Sequence, residues 1–92
     1  MPTVRIPTPL RQAARGNAEV KVAGDTVDDV IADLERQFPG LKERLVDDGG
    51  ELRRFINIYV NEEDIRFLEG PKTALKPADQ LSIVPAIAGG RT

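Results

Sequence analysis

Cysteine and histidine are both absent from this 92-residue chain. Thiol catalysis, iron–sulfur ligation, a cysteine- or histidine-based zinc site and imidazole acid–base catalysis each need a side chain that the protein lacks. Its hydroxyl side chains also have no histidine base to activate them as nucleophiles. What remains for chemistry is carboxylates, amines, hydroxyls and backbone groups. We therefore expect a protein on which enzymes act rather than an enzyme.

Aromatic residues and excess positive charge are also scarce. The chain has three Phe, one Tyr and no Trp, and thirteen basic against fifteen acidic residues give a formal net charge of −2. Proteins that bind nucleic acid need a basic excess and stacking side chains. No apolar run approaches the ~20 residues of a membrane span, and the N-terminus lacks a signal segment. We expect one soluble, cytoplasmic domain that binds neither nucleic acid nor membrane.

Two stretches near the start alternate apolar and polar residues, 3–6 and 18–22. Such alternation is typical of half-buried strands. Pro7 ends the first stretch, and a polar loop over 11–17, with Gly16 as its turn residue, leads to the second. The short connection predicts an antiparallel hairpin.

A helix is the clearest element that follows. Its apolar residues recur along one stripe at helical spacing, at Val27, Val30, Ile31, Leu34 and Phe38. Asp25 or Thr26 can cap its start, and Pro39-Gly40 ends it. Three aspartates are expected on its exposed face rather than at a metal site: Asp28, Asp29 and Asp33.

The second half of the chain predicts one more helical turn over 41–46 and three strands over 55–60, 65–67 and 81–84. The stretch 55–60 reads as a central strand, with Ile56, Ile58 and Val60 toward the core. The element order β-β-α-β-β-β predicts an α+β domain over residues 1–84 with the β-grasp, or ubiquitin-like, fold. Its mixed sheet would have four to five strands, with the main helix packed on one face. Another small α+β roll is the alternative.

The segment 85–92 is predicted to be a C-terminal tail. Gly89 and Gly90 have no Cβ, so their backbone can pass through a channel that side chains would block. Residues 85–90 could span ~20 Å when extended. From residue types alone, a frayed chain end explains the two glycines equally well.

Two segments carry a resemblance to a known family. Residues 55–67, together with residues 79–90 and their final Gly-Gly, resemble the MoaD/ThiS family of ubiquitin-like sulfur carrier proteins. Within it they are most similar to the branch that serves cysteine biosynthesis. The resemblance extends over nearly the whole chain, including Ile6-Pro7-Thr8 and Gly24-Asp25-Thr26.

The resemblance implies a function located at Gly90. An ATP-using enzyme related to ubiquitin activators would adenylate the Gly90 carboxylate, and sulfur would then displace AMP to leave a thiocarboxylate. Gly89 and Ala88 would form the slim approach to it. The other implied partners are a PLP-dependent cysteine synthase and a JAMM-type zinc metalloprotease. ATP, PLP and zinc would belong to these enzymes, and this chain would bind no cofactor or metal of its own.

One feature departs from the family pattern, because the sequence continues past Gly90 with Arg91-Thr92. Adenylation at Gly90 would require cleavage of the Gly90–Arg91 bond, for which the JAMM-type protease is the expected enzyme. The alternatives are that the dipeptide is not native to the protein or that carrier activity has been lost.

A carrier must also dock on its partners. Phe55 and Tyr59 are expected on the strand face opposite the core, where an exposed aromatic pair could anchor a partner beside Arg54. The alternative is that both rings pack under the loop over 47–54.

Three other functions stay open. The carrier could serve molybdopterin, thiamine or another sulfur-containing metabolite. It could be a ubiquitin-like modifier whose Gly90 is joined to lysines of other proteins. It could also be an interaction module with an inert tail.

Overall fold

A five-stranded mixed sheet and one main helix account for the described part of the chain, residues 1–85 of a computed structural model. The strands are β1 (Thr3–Arg5), β2 (Glu19–Lys21), β3 (Ile56–Val60), β4 (Glu63–Asp64) and β5 (Gln80–Pro85). Their order across the sheet is β2-β1-β5-β3-β4, with β1 and β5 parallel and the other neighbours antiparallel. This arrangement confirms the predicted β-grasp fold.

The first two strands form the predicted hairpin, with Val4 opposite Val20. Their connection contains a 3₁₀ helix (Thr8–Leu10) and is less polar than the sequence suggested, because Leu10 and Ala14 are buried. Gly16 is a turn residue, as predicted, with a φ of 84°.

Helix α1 (Val27–Gln37) packs its apolar stripe into the core, and all five predicted stripe residues are buried. Of the two candidates, Thr26 is the residue that caps the helix: its hydroxyl accepts a hydrogen bond from the Asp29 N–H at 3.2 Å. The prediction that Asp33 is exposed was wrong, since only 7% of it is accessible. Hydrogen bonds to its carboxylate offset the cost of this burial.

The predicted helical turn is the short helix α2 (Lys42–Leu45), and Leu41 and Leu45 are fully buried. Glu35 connects the two helices, because its carboxylate accepts hydrogen bonds from the N–H groups of Gly40 and Lys42. These bonds lower the pKa of the Glu35 carboxyl, with the Lys42 N–H as the largest cause.

Strand β3 alternates as predicted, with Ile56, Ile58 and Val60 buried on the core side. The middle strand of the sheet is β5 rather than β3, because β5 lies between β1 and β3. It also extends through Pro85, opposite Ile56. The predicted tail therefore begins at a residue that is still part of the sheet.

The predicted strand over 65–67 was wrong. Ile65–Phe67 is a 3₁₀ helix, and the strand lies just before it as β4. The Asp64 side chain accepts a hydrogen bond from the Arg66 N–H at 2.9 Å, which caps this 3₁₀ helix. A local side-chain bond of this kind competes with a strand ladder for the backbone donor.

Candidate functional site

The end of β5 is the root of the C-terminal segment. Pro85 is half-buried and lies opposite Ile56, and the neighbouring Val84 is 41% exposed. The predicted sulfur-carrying residue Gly90, its approach Ala88 and Gly89, and the processing bond to Arg91 lie outside the described residues. Their roles stay predictions.

Phe55 lies beside this root. It occupies a turn immediately before Ile56, the residue that pairs with Pro85, and its side chain is 47% exposed. The Arg54 guanidinium lies over its ring, 5.7 Å from the centroid. A cation at this distance is attracted to the ring face. The exposure of Phe55 excludes the alternative that the loop over 47–54 covers it, and it leaves an apolar group with an adjacent positive charge where the tail begins.

Tyr59 is in a different environment from Phe55. It is half-buried in β3, opposite Ser82 on one side and Asp64 on the other. Four residues of strand place it ~13 Å from Phe55. Of the predicted exposed pair, Phe55 is exposed and Tyr59 is half-buried, and Phe55 alone adjoins the root of the tail.

An ion pair lies on the Tyr59 side of the sheet. Asp64 is 7% exposed, and the Arg66 guanidinium donates to its carboxylate at 2.8 Å. The side-chain and backbone hydrogen bonds from Arg66 hold the pKa of the Asp64 carboxyl below its ordinary value. In return, the pKa of Arg66 is raised, mainly by Asp64. Both groups stay charged over the physiological range, so this end of the sheet presents a fixed ion pair.

Two exposed apolar residues were missed by the sequence analysis. Phe67 is 81% exposed and Leu68 is 37% exposed, at the 3₁₀ helix that follows β4. Their apolar character made a strand the natural prediction. The available signal was Asp64, whose side chain favours a local turn over a ladder.

A second missed feature is an open depression where β1 ends, beside the middle of β5 and the start of β2, with a volume of about 250 Å³. Its lining includes Arg5, Pro7, Arg11, Ser82 and Ile83. Arg11 is held in place because its Nε donates to the Ile6 carbonyl at 3.0 Å. The lining residue nearest in sequence to the root of the C-terminal segment is Ile83, two positions before Pro85.

Across residues 1–85, no group of three or more potential ligand side chains is placed to hold a metal ion. Neither helix in that range is long and apolar enough to cross a membrane.

The strand order and the packed helix define a ubiquitin-like β-grasp protein, in which the last described strand, β5, ends at Pro85. The chain belongs to the ThiS family, which it matches over residues 4–90. The predicted resemblance to the MoaD/ThiS carriers is thereby confirmed.

Individual relatives agree with this assignment. The sulfur carrier protein CysO of Mycobacterium tuberculosis is 50% identical over 90 residues, which cover 96% of this chain and 97% of the relative. The crystal structure of the BexX/CysO complex of Amycolatopsis orientalis contains a chain with 47% identity and a TM-score of 0.91, at 98% coverage of this chain and 100% of that chain. The small archaeal modifier protein 3 of Haloferax volcanii is 40% identical over 65 residues, 71% of this chain and 70% of the relative.

Proposed function

We propose that this protein is a sulfur carrier of cysteine biosynthesis and that Gly90 carries the sulfur as a thiocarboxylate. One observation carries the proposal. The family match runs through Gly90 and ends there, and a CysO carrier is 50% identical over nearly its full length. The match therefore includes Gly89-Gly90 and excludes Arg91-Thr92.

Activation gives the Gly90 carboxylate a leaving group. A carboxylate oxygen attacks the α-phosphorus of ATP held by a ubiquitin-activator-like enzyme, and pyrophosphate departs. Sulfide then attacks the carbonyl carbon of the acyl adenylate, and AMP departs with the electrons of the C–O bond. This chain supplies the acyl group, and the partner supplies the nucleotide site.

Docking places the tail in that partner. Residues 85–90 could span ~20 Å when extended, which is long enough to reach a buried site. Phe55 and Arg54 adjoin the root of this segment and are available for contact. An exposed aromatic residue with an arginine is typical of the anchors that dominate protein interfaces. We assign docking of the activating enzyme to these two residues.

Processing must precede activation. Gly90 is joined to Arg91 through an amide, so its carboxylate becomes available only after hydrolysis of that bond. We assign this cleavage to a JAMM-type zinc metalloprotease.

Sulfur donation completes the cycle. On a PLP-dependent cysteine synthase, the thiocarboxylate sulfur forms a bond to the β-carbon of an activated serine derivative, whose leaving group departs. The α-amine of the cysteinyl group formed in this way then attacks the thioester carbonyl, so that the acyl group moves from sulfur to nitrogen. Hydrolysis of the resulting amide by the metalloprotease releases cysteine and restores the Gly90 carboxylate.

The test compares three forms of the chain, ending at Ala88, at Gly90 and at Thr92. Each is incubated with the activating enzyme, ATP and sulfide and measured by intact mass. The form ending at Gly90 should gain the mass difference between sulfur and oxygen, and the other two should not. Adding the metalloprotease should rescue only the form ending at Thr92. Failure of the Gly90 form to release pyrophosphate would overturn the proposal.

The acceptor is tested with the thiocarboxylate product. Incubation with the PLP-dependent synthase and activated serine should give a carrier–cysteine adduct. Sulfur transfer to a molybdopterin or thiamine precursor instead would redirect the pathway and leave the carrier chemistry intact.

A second candidate function is protein modification, which the similarity to a small archaeal modifier protein favours. It uses the same activated Gly90 but joins it to lysine amines. Isopeptide-linked adducts in cells, with no thiocarboxylate form, would support modification over sulfur transfer.

A further inference from the structure

The hydrogen-bond ladder between β1 and β5 stops before β5 ends. Arg5 and Ser82 are the last paired residues of the two strands, but β5 continues to Pro85. Over the rest of its length β5 is paired with β3, where Pro85 lies opposite Ile56. The root of the C-terminal segment therefore has a paired side and an open side.

The phase of the ladder shows which groups would continue it. The Thr3 N–H donates to the Asp79 carbonyl at 3.2 Å, so Thr3 directs its backbone groups toward β5. In a strand every second residue points the same way, which adds Arg5 and then Pro7 to this series. Ile6 points toward β2 instead.

The next ladder step lacks both of its donors. In a parallel ladder, residue 7 would donate its N–H to the Ile83 carbonyl, and residue 85 would donate its N–H to the carbonyl of residue 7. Both positions are proline, and proline has no backbone N–H. The two strands thus contribute one proline each to the same missing pair of bonds.

The ladder ends here because the two donors are missing, since the backbone at Pro7 is still extended. Pro7 has a φ of −70° and a ψ of 155°, which a strand residue can adopt. Its carbonyl accepts instead from the Leu10 N–H at 2.9 Å, within the 3₁₀ helix. The depression of about 250 Å³ lies where β1 would otherwise continue along β5.

We propose that Pro7 and Pro85 act as a paired stop that leaves the root of the C-terminal segment paired with β3 alone. Without the stop, the end of β5 would be paired on both sides and held to β1 by up to two more hydrogen bonds. The prolines are thus positioning residues for tail delivery. This role rests on the proposed function, whereas the stop itself does not.

The first test restores the donors with Pro7→Ala/Pro85→Ala, and Pro9→Ala is the matched control. Pro9 is exposed and lies within the 3₁₀ helix, outside the ladder. Amide exchange at positions 7 and 85 of the double variant should be at least about tenfold slower than at position 9 of the control. The ¹⁵N order parameters of residues 86–88 should rise above those of the parent. Equal exchange at the three positions, or unchanged order parameters, would overturn the proposal.

The second test measures adenylation of the form ending at Gly90. The double variant should have a several-fold lower kcat/KM than the parent, and Pro9→Ala should match the parent. Protected amides with an unchanged kcat/KM would overturn the positioning role. If the parent itself is not adenylated, the proposed function fails, and amide exchange still decides whether the prolines stop the ladder.

Discussion

The Asp33 carboxylate on α1 accepts a hydrogen bond from the Ala23 backbone N–H at 3.0 Å. The same carboxylate accepts from Arg36 and Gln37, and Gln37 also donates to the Lys21 carbonyl. This buried acid therefore ties the helix to the chain that leaves β2. The Ala23 bond is the largest cause of the lowered pKa of Asp33; the bonds from Arg36 and Gln37 add to it, and burial opposes it.

Removing this carboxylate should destabilise the fold. We expect Asp33→Ala to lower the free energy of unfolding by about 1–3 kcal/mol, since a partly buried donor loses its partner. Asp33→Asn should cost less, because the amide oxygen can still accept from Ala23. Urea denaturation measures both, with the exposed Asp28→Asn as the matched control. Equal stabilities of Asp33→Ala and Asp28→Asn would contradict the assignment.

The direction of the pKa shift also predicts a pH dependence. Because the pKa of Asp33 is lower in the folded chain, the unfolded chain binds the proton more readily and folding gains stability above the unfolded pKa of ~3.9. That contribution is lost as pH falls through the folded pKa. The carboxyls of Asp64 and Asp79 are shifted the same way, by Arg66 and by the Lys76 N–H respectively. Unfolding free energies measured between pH 7 and pH 2 should fall at the acid end, less steeply in Asp33→Asn.

Gly24 should tolerate no side chain. A Cβ there would lie 2.8 Å from the Asp29 Cβ and 2.9 Å from the Val30 nitrogen, at the start of α1. We expect Gly24→Ala to cost about 1–3 kcal/mol or more, because the helix would have to move. Gly50→Ala is the control, since its Cβ would meet open space and only its φ of 84° is unfavourable, at about 1–2 kcal/mol. Thermal unfolding that ranks Gly50→Ala as the more damaging change would contradict the packing argument.

The turn between β3 and β4 contains backbone strain that a single substitution to glycine should relieve. Asn61 and Glu62 have φ values of 50° and 76°, the pattern of a type I′ turn, which favours Asn-Gly. Glu62→Gly should therefore stabilise the protein by about 0.5–1 kcal/mol. Asn61 should not be replaced, because its side chain bonds to Asp79 and to the Gln80 N–H. Denaturation midpoints should rise for Glu62→Gly and fall for Glu63→Gly, which weakens β4.

The sequence was sufficient wherever local pattern and burial agree. The stripe from Val27 to Phe38 and the alternation of β3 both follow from periodicity, and the structure buries them as predicted. It was insufficient where a side chain bonds to a distant or neighbouring backbone group. Asp33 was misplaced because its partner Ala23 lies in the connection after β2, ten positions earlier in the chain.

The sequence also does not reveal which residues of different strands lie beside each other. Pro7 and Pro85 are 78 positions apart in number, and only the register of β1 against β5 shows that they fall at the same ladder step. The candidate docking site shows the same limit. The alternating pattern placed Phe55 and Tyr59 on the same strand face. In the structure, Phe55 lies in the turn before β3 and is exposed, whereas Tyr59 lies within β3 and is half-buried.

The docking role of Phe55 gives the last prediction. Phe55→Ala should raise the KM of the activating enzyme for the form ending at Gly90 by about tenfold or more, as loss of an interface anchor does. Its unfolding free energy should change little, because the ring is 47% exposed. Phe67→Ala is the matched control: Phe67 is a more exposed aromatic residue, on the 3₁₀ helix that follows β4, and it is not part of the β3–β5 pairing that contains Pro85. A larger KM effect for Phe67→Ala than for Phe55→Ala would assign docking to the 3₁₀ helix that follows β4 instead of to the root of the tail.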